Sequence, residues 1–263
     1  MIRAVVLLLG AALLTVSGGE AVRAQTLPAE RIVAGLSQNR VSITASFDGS
    51  EILIYGAVKR EEPAPTAAPL EVIITVEGPS TPLMVRRKEK VATIWLNRAS
   101  VNIDAAPSFY AVLTTGPLAA ILSNTEDQRH GITIDRAIRA VGISSEADNA
   151  PDFVDALQRI RVNSEMYRVA EGAVELVEET LFRADVVLPS NLVEGDYRVR
   201  IFLLRDGRVI DDQARVIGVR KAGLERFLFN LAHAQPFIYA ALSLLMAAFF
   251  GWAASAGFRF LRL

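Results

Sequence analysis

Apolar and polar residues alternate with a period of two along Arg40–Phe47. Val41, Ile43, Ala45 and Phe47 fall on one face, and Ser42, Thr44 and Ser46 on the other. That period belongs to a half-buried strand. Asp48-Gly49-Ser50 supplies a turn and Glu51–Val58 resumes as a mostly apolar strand, so the two predict a hairpin. Lys59–Pro69 is charged and then rich in proline (Pro63, Pro65, Pro69), which cannot donate to a ladder, so this stretch reads as a loop. Leu70–Val76 is the next strand, ended by Gly78-Pro79. Leu83–Arg87 and Val91–Leu96 follow as a pair joined around Lys88-Glu89-Lys90, with Trp95 expected to pack at a sheet edge or core. Ser108–Thr114 is a further strand, and Pro117–Leu122 predicts a short helix after the Gly116-Pro117 turn.

The period changes after Thr125. Asp135–Val141 has a short helical pattern, and Gly142–Pro151 is rich in turn formers. In Asp152–Val169, Phe153, Ala156, Leu157 and Ile160, with Ser164 or Tyr167 beyond them, return at helical spacing. Pro151 precedes them, where its missing amide hydrogen is tolerated at a helix start. Strands resume at Ala173–Leu176, Glu179–Val187, Asp196–Leu204 and Arg208–Val219, the last two joined by an Asp206-Gly207 turn. In Asp196–Leu204, Tyr197, Val199, Ile201 and Leu203 share one face, opposite Arg198, Arg200 and Phe202. Short strands at this spacing predict a mainly β fold, an immunoglobulin-like β-sandwich with a helical middle segment. The passage from Leu188-Pro189 through a polar loop to Gly195-Asp196-Tyr197 resembles the late strands of such modules. One sandwich interrupted by helices and two small β domains separated by them both satisfy the pattern.

Both ends are apolar. Arg3 precedes an apolar run from Ala4 to Val16, and Val22-Arg23-Ala24 fits a signal-peptidase site. A retained signal anchor is the alternative, with the same topology. Pro236–Phe258 holds 23 residues without a charge, about 34 Å as a helix and enough to cross a bilayer core. Arg259 and Arg262 follow it, and positive residues favour the cytoplasmic side. The expected order is therefore a signal peptide at 1–24, β-rich regions at 25–125 and 170–221 around a helical segment at 126–169, a juxtamembrane segment at 222–235, a transmembrane helix at 236–258 and a cytoplasmic tail at 259–263. This places the chain in a bacterial inner membrane with a periplasmic ectodomain and a cytoplasmic C-terminus.

Composition narrows the chemistry. Residues 25–230 carry 24 Lys or Arg against 28 Asp or Glu, so no basic surface points to nucleic acid. Cysteine is absent, which excludes disulfides, thiol redox centres and thiolate metal sites. His130, beside Glu126 and Asp127, and His233 are the only histidines, and they suit a polar loop and an interfacial position better than zinc. Ser37, Ser100 and Ser190 lack a nucleophile elbow, and no phosphate or dinucleotide loop is present. The acidic interval from Asp152 to Glu179, and Asp206-Gly207 and Asp211-Asp212, read as solvated surfaces and hairpin ends. Neither pair follows the calcium-loop pattern. No catalytic residue and no cofactor is implied.

Glu30–Ser37, Phe47–Val58, Phe182–Pro189, Gly195-Asp196-Tyr197 and the C-terminal span together resemble a family of transmembrane proteins found in alphaproteobacteria, for which no activity is established. What the resemblance implies is association with permeases of the sulfite-exporter type, beside which members resemble encoded partners. The expected function is that of a membrane-anchored periplasmic binding or interaction module accessory to an integral membrane permease or transporter, with membrane lipid around its anchor. A membrane-tethered envelope enzyme and a structural envelope protein are the alternatives. Within the span, Ala247, Gly251 and Ser255 recur every four residues and would allow close helix packing.

Overall fold

β-Branched and aromatic residues in alternating runs build most of this chain. The computed structural model describes residues 30–261 except 45–46, 62, 64–67, 141–148 and 223. The expected signal peptide, part of the proline-rich loop, most of the Gly142–Pro151 turn and the last two tail residues lie outside the described residues. The strands are β1 (Glu30–Leu36), β2 (Arg40–Ile43), β3 (Ser50–Arg60), β4 (Leu70–Glu77), β5 (Ser80–Val91), β6 (Ile94–Pro107), β7 (Tyr110–Thr114), β8 (Tyr167–Ala170), β9 (Val174–Val177), β10 (Leu181–Leu188), β11 (Gly195–Arg205) and β12 (Arg208–Lys221). The helices are α1 (Leu118–Ile121), α2 (Asn124–His130), α3 (Ile134–Ala137), α4 (Ala150–Asn163), α5 (Leu224–Ala234) and α6 (Pro236–Leu261). The fold is mainly β, with one long apolar helix at its C-terminal side.

One sheet has the order β1-β3-β10-β9, a second the order β2-β12-β11-β4-β7-β8, and β5 and β6 form a two-stranded hairpin of their own. Neighbours are antiparallel except β2 beside β12 and β7 beside β8. The expected hairpin between Arg40–Phe47 and Glu51–Val58 does not form. β3 pairs with β1, and β2 crosses to the other sheet beside β12. The alternation fits β2, where Val41 is buried and Ser42 exposed, but the strand ends at Ile43 rather than Phe47, and alternation carries no information on which strand is the neighbour.

Both sheets contribute to a single apolar core, which includes Ile32, Ile54, Phe182 and Val186 from the first and Ile74, Val112, Tyr197 and Val219 from the second. β4, and β11 from Ile201 to Leu204, are buried on both faces, which explains the unbroken apolar run Val72-Ile73-Ile74. Burying one such side chain contributes about 1.5–3 kcal/mol. The outer face of these strands lies beneath α2. Arg200 reaches up from β11 to donate to the carbonyls of His130 (2.6 Å) and Gly131 (3.0 Å). Tyr110 donates to the Ile132 carbonyl at 2.8 Å, and burial pushes its hydroxyl up to about 12. Ser123 caps α2 and Gly131 ends it in the left-handed region, so this short helix is defined at both ends.

The middle segment departs from the expected helix 152–169. α4 stops at Asn163, Glu165 turns the chain at φ 59°, and Tyr167 enters sheet strand β8. Tyr167 is buried there and donates to the Pro107 carbonyl at 2.7 Å, so tertiary pairing overrides the helical spacing. Phe153 and Leu157 are buried as predicted, while Ile160 is exposed. Glu178 and Glu179 both have positive φ and make the tight turn between β9 and β10, which shortens the expected strand Glu179–Val187. Asp206 and Gly207 form the predicted turn between β11 and β12.

Two polar arrangements tie the sheets together. Glu30 on β1 is buried between Arg60 (2.5 Å) and Arg205 of the other sheet (2.7 Å), and Arg205 also reaches Glu179 at 3.1 Å. Arg205, with Arg60 beside it, holds the Glu30 carboxyl below its ordinary value of 4.5. Along the same edge, Asp211 and Gln213 of β12 accept from the Ile32 and Ala34 amides of β1 at 2.7 and 3.0 Å. The edge amides of β1 are thereby satisfied by side chains rather than by another strand. Asp211, read from sequence as a hairpin-end residue, is one of these contacts.

Candidate functional site

Strand register gathers several features at one end of the six-stranded sheet. Gly195 of β11 faces Val219 of β12, Arg198 faces Glu77 at the end of β4, and Glu77 faces Tyr110 at the start of β7. From this end the chain leaves β12 for α5 and α6. The β5–β6 hairpin is rooted at the same end, between the end of β4 and the start of β7. A side chain at Gly195 would collide with Pro79, at 2.2 Å, so β11 begins pressed against the hairpin root.

The hairpin is longer than expected, and its turn lies elsewhere. The strands continue through Lys88-Glu89-Lys90, and the reversal falls at Ala92-Thr93, with Ala92 at φ 56°. Charged residues are tolerated inside β5 because this half of the hairpin is exposed on both faces. About midway along it, Val101 is buried against Phe153 of α4, and the Arg87 guanidinium lies 5.4 Å from the Phe153 ring centre. Toward the turn, Ile94, Trp95 and Leu96 are all exposed, and Trp95, expected to be packed, is 65% exposed.

A cavity of about 650 Å³ lies at the same end, over the parallel β2–β12 pair, lined by Arg40, Ser42, Arg220 and Lys221 among others. Arg220 also pairs with Asp196 at 2.5 Å. The lining is basic and hydroxylic, which suits an anion and supplies no carboxylate for general acid–base work.

Beyond α5, the stretch Pro236–Gly257 of α6 includes 18 consecutive residues with a mean hydropathy of 1.9, none of them buried among the described residues. Ala247, Gly251 and Ser255 lie on one face and are exposed, with nothing within 4 Å of a side chain built at Gly251. The structure thus aligns the three predicted packing residues and, among the described residues, places no neighbour within 4 Å of a side chain at Gly251.

Most of the other residues weighed for chemistry have structural partners. Asp127 accepts from the amides of Ile132 and Thr133 at 3.0 and 2.8 Å. Glu126 pairs with Arg129 at 2.7 Å and lies 3.4 Å from His130, whose ring packs 5.4 Å from Phe202. His233 contacts the Phe229 carbonyl within α5 at 2.9 Å. Ser37 accepts from the Leu53 amide at 3.1 Å, and Ser100 and Ser190 are exposed. Among the described residues no group of three or more His, Asp or Glu is placed to hold a metal ion.

A family model with the description "Putative transmembrane protein" (Alph_Pro_TM) matches residues 31–260. The chain belongs to this family. Its match covers both the β domain and the apolar helix. No curated protein matches the chain. Among solved structures, the sporulation control protein Spo0M from Bacillus subtilis is similar over 78% of this chain and 56% of its own, at 11% identity and a TM-score of 0.27. The chain therefore spans little more than half of that structure, and a likeness at this level carries no argument.

Proposed function

We propose that this member of the transmembrane family is an anchored periplasmic interaction module, accessory to an integral membrane permease or transporter. The observation that carries the reading is α6, a membrane-length apolar helix unburied along its length and joined through α5 to a β domain. A helix of this kind finds its neighbours in lipid or in other helices, and small residues let helix backbones approach closely. Ala247, Gly251 and Ser255 supply such a face. The resemblance noted from sequence favours a permease of the sulfite-exporter type as the partner. Arg259 and Arg262 favour a cytoplasmic C-terminus and hence a periplasmic β domain.

The β domain is read as an immunoglobulin-like sandwich, a scaffold suited to presenting surfaces. The order β1-β3-β10-β9 matches the A-B-E-D sheet of that fold, and β12-β11-β4 matches G-F-C. The loop from Pro189 to Glu194 carries the chain from one sheet to the other, and Tyr197 donates back to the Val193 carbonyl at 2.9 Å. That contact is of the kind made by the tyrosine corner at the E–F connection, which supports the reading. The β5–β6 hairpin and the α1–α4 segment are then additions to the sandwich.

Proximity labelling in intact cells, followed by recovery in gentle detergent, tests the partnership. Reproducible enrichment of one integral membrane protein is expected, and Gly251→Leu should reduce its recovery while leaving membrane insertion unchanged. Enrichment of no membrane protein would remove the accessory reading. Unchanged recovery with Gly251→Leu would remove the helix-mediated form of it.

A further inference from the structure

We infer that the tip of the β5–β6 hairpin inserts into the interface of an anionic bilayer, giving the β domain a second membrane contact besides α6. The inference rests on the tethered reading above and adds a lipid surface to it. Register places Val91 opposite Ile94, Glu89 opposite Leu96 and Lys90 opposite Trp95. Val91, Ile94 and Leu96 therefore share one face, beside Glu89, and Trp95 projects from the other, beside Lys90, so the tip carries exposed apolar side chains on both sides. A surface that docks on a protein needs one apolar face. A wedge with two suits a medium that surrounds it.

Charge favours lipid of negative sign. Between Arg86 and Arg98 the hairpin carries five basic residues against the single acid Glu89, within a domain whose balance over residues 25–230 is 24 Lys or Arg to 28 Asp or Glu. Arg86 and Lys88 stand three to five residues behind Val91 and are exposed, which puts them roughly 10–16 Å from the turn. Apolar residues of interfacial elements sit about 5–10 Å into the headgroup boundary. With the tip at that depth, the basic collar lies at phosphate level. An indole is also the side chain most suited to this zone, with an apolar body and a polar N–H.

Position makes the contact reachable. The hairpin root and the exit toward α6 share one end of the sheet. β5 extends about 40 Å from that root, whereas α5 rises only about 16 Å. A bilayer beginning at Pro236 therefore lies within the hairpin's reach.

Trp95 reports the contact directly, because the chain has only two tryptophans. The full chain carrying Trp252→Phe would be reconstituted in nanodiscs of phosphatidylcholine alone and of an equal mixture with phosphatidylglycerol. Lipids brominated near the headgroup end of the acyl chain would serve as quenchers. The expected result is blue-shifted Trp95 emission and quenching by brominated lipid in the anionic discs, with weaker quenching in the neutral ones. Raising the salt, or replacing Arg86, Lys88, Lys90 and Arg98 together by Gln, should return the emission toward that of water-exposed indole. A chain that incorporates into discs while Trp95 remains open to aqueous iodide in both lipids overturns this inference and leaves the anchor intact. Protection of Trp95 that appears only when a solubilised membrane-protein extract is added also overturns it, in favour of a protein contact. A chain that fails to incorporate overturns the tethered reading, and this inference with it.

Discussion

Glu30 shows how much a single side chain can hold. Its carboxylate lies between two arginines that are themselves 10% and 13% exposed, one on each sheet. Removing it leaves both buried guanidinium groups with only the half-exposed Glu179 as counter-charge, a loss toward the lower end of the about 3–5 kcal/mol typical of a broken buried pair. The pH dependence follows from its lowered value. A carboxyl depressed in the folded state adds stability that is fully present above its unfolded value near 4.5 and fades as pH falls through the lower folded value. Glu30→Gln should therefore lower the denaturation midpoint at neutral pH by an amount consistent with about 3 kcal/mol, and flatten the acid limb of the stability curve. An unchanged acid limb by chemical denaturation would show that this cluster is not the acid-sensitive point. Tyr197→Phe is the milder case. It removes one hydrogen bond and leaves the Val193 carbonyl without this donor, so a loss of about 1 kcal/mol is expected in the same measurement.

Among the elements, the β5–β6 hairpin separates folding from presentation. Its inner half is buried through Val101 and Ile103, whereas its outer half touches little beyond the Arg87–Phe153 contact. Shortening it by deleting Lys88–Asn97 and closing the ends with Asn-Gly should leave the thermal midpoint of the β domain nearly unchanged, since few apolar contacts are lost. A collapse of cooperative unfolding would mean that the outer half supports the core after all. This element also marks where sequence reading succeeds and fails. The apolar pattern located β4, β11 and β12 and only part of each hairpin strand, expected at 83–87 and 91–96 and found at Ser80–Val91 and Ile94–Pro107. β4 shows as an unbroken apolar run because both its faces are buried, and β11 is marked by its alternation. The pattern misplaced the reversal, since Lys88-Glu89-Lys90 looks like a turn while Ala92 takes a left-handed φ without any glycine to announce it. It also assigned Tyr167 to a helix and paired β2 with β3. Which strand lies beside which is decided by the whole core, and local pattern does not record it. The apolar helix was legible from its length and lack of charge, which are one-dimensional properties, although it runs on to Leu261, past the expected end at Phe258. The basic cavity over β2 and β12 was not, since Arg40 and Arg220 are 180 positions apart and meet only through the parallel pairing.

At the level of the whole molecule, charge around α6 and the position of the β domain make one joint prediction. A reporter fused after Leu263 should be active only in a cytoplasmic assay, and one inserted between Pro63 and Pro69 only in a periplasmic assay. The protein should also stay with the membrane through carbonate washing, because a spanning helix is not held by surface charge. Release into the soluble fraction, or a periplasmic signal from the C-terminal fusion, would contradict the arrangement.

The parallel pairing of β2 with β12 has a mechanical side. β12 is the strand that continues toward the anchor, and it is bonded along its length to β11 on one flank and near its end to β2 on the other. Tension drawn through the anchor would run along the axis of β12, across ladder bonds that stand at a steep angle to the pull. Several bonds must then slide at once, because none can be peeled away before the next. Drag on the tether is met by the overlap of three strands, and the domain resists extraction most strongly in the direction from which its own attachment would pull it.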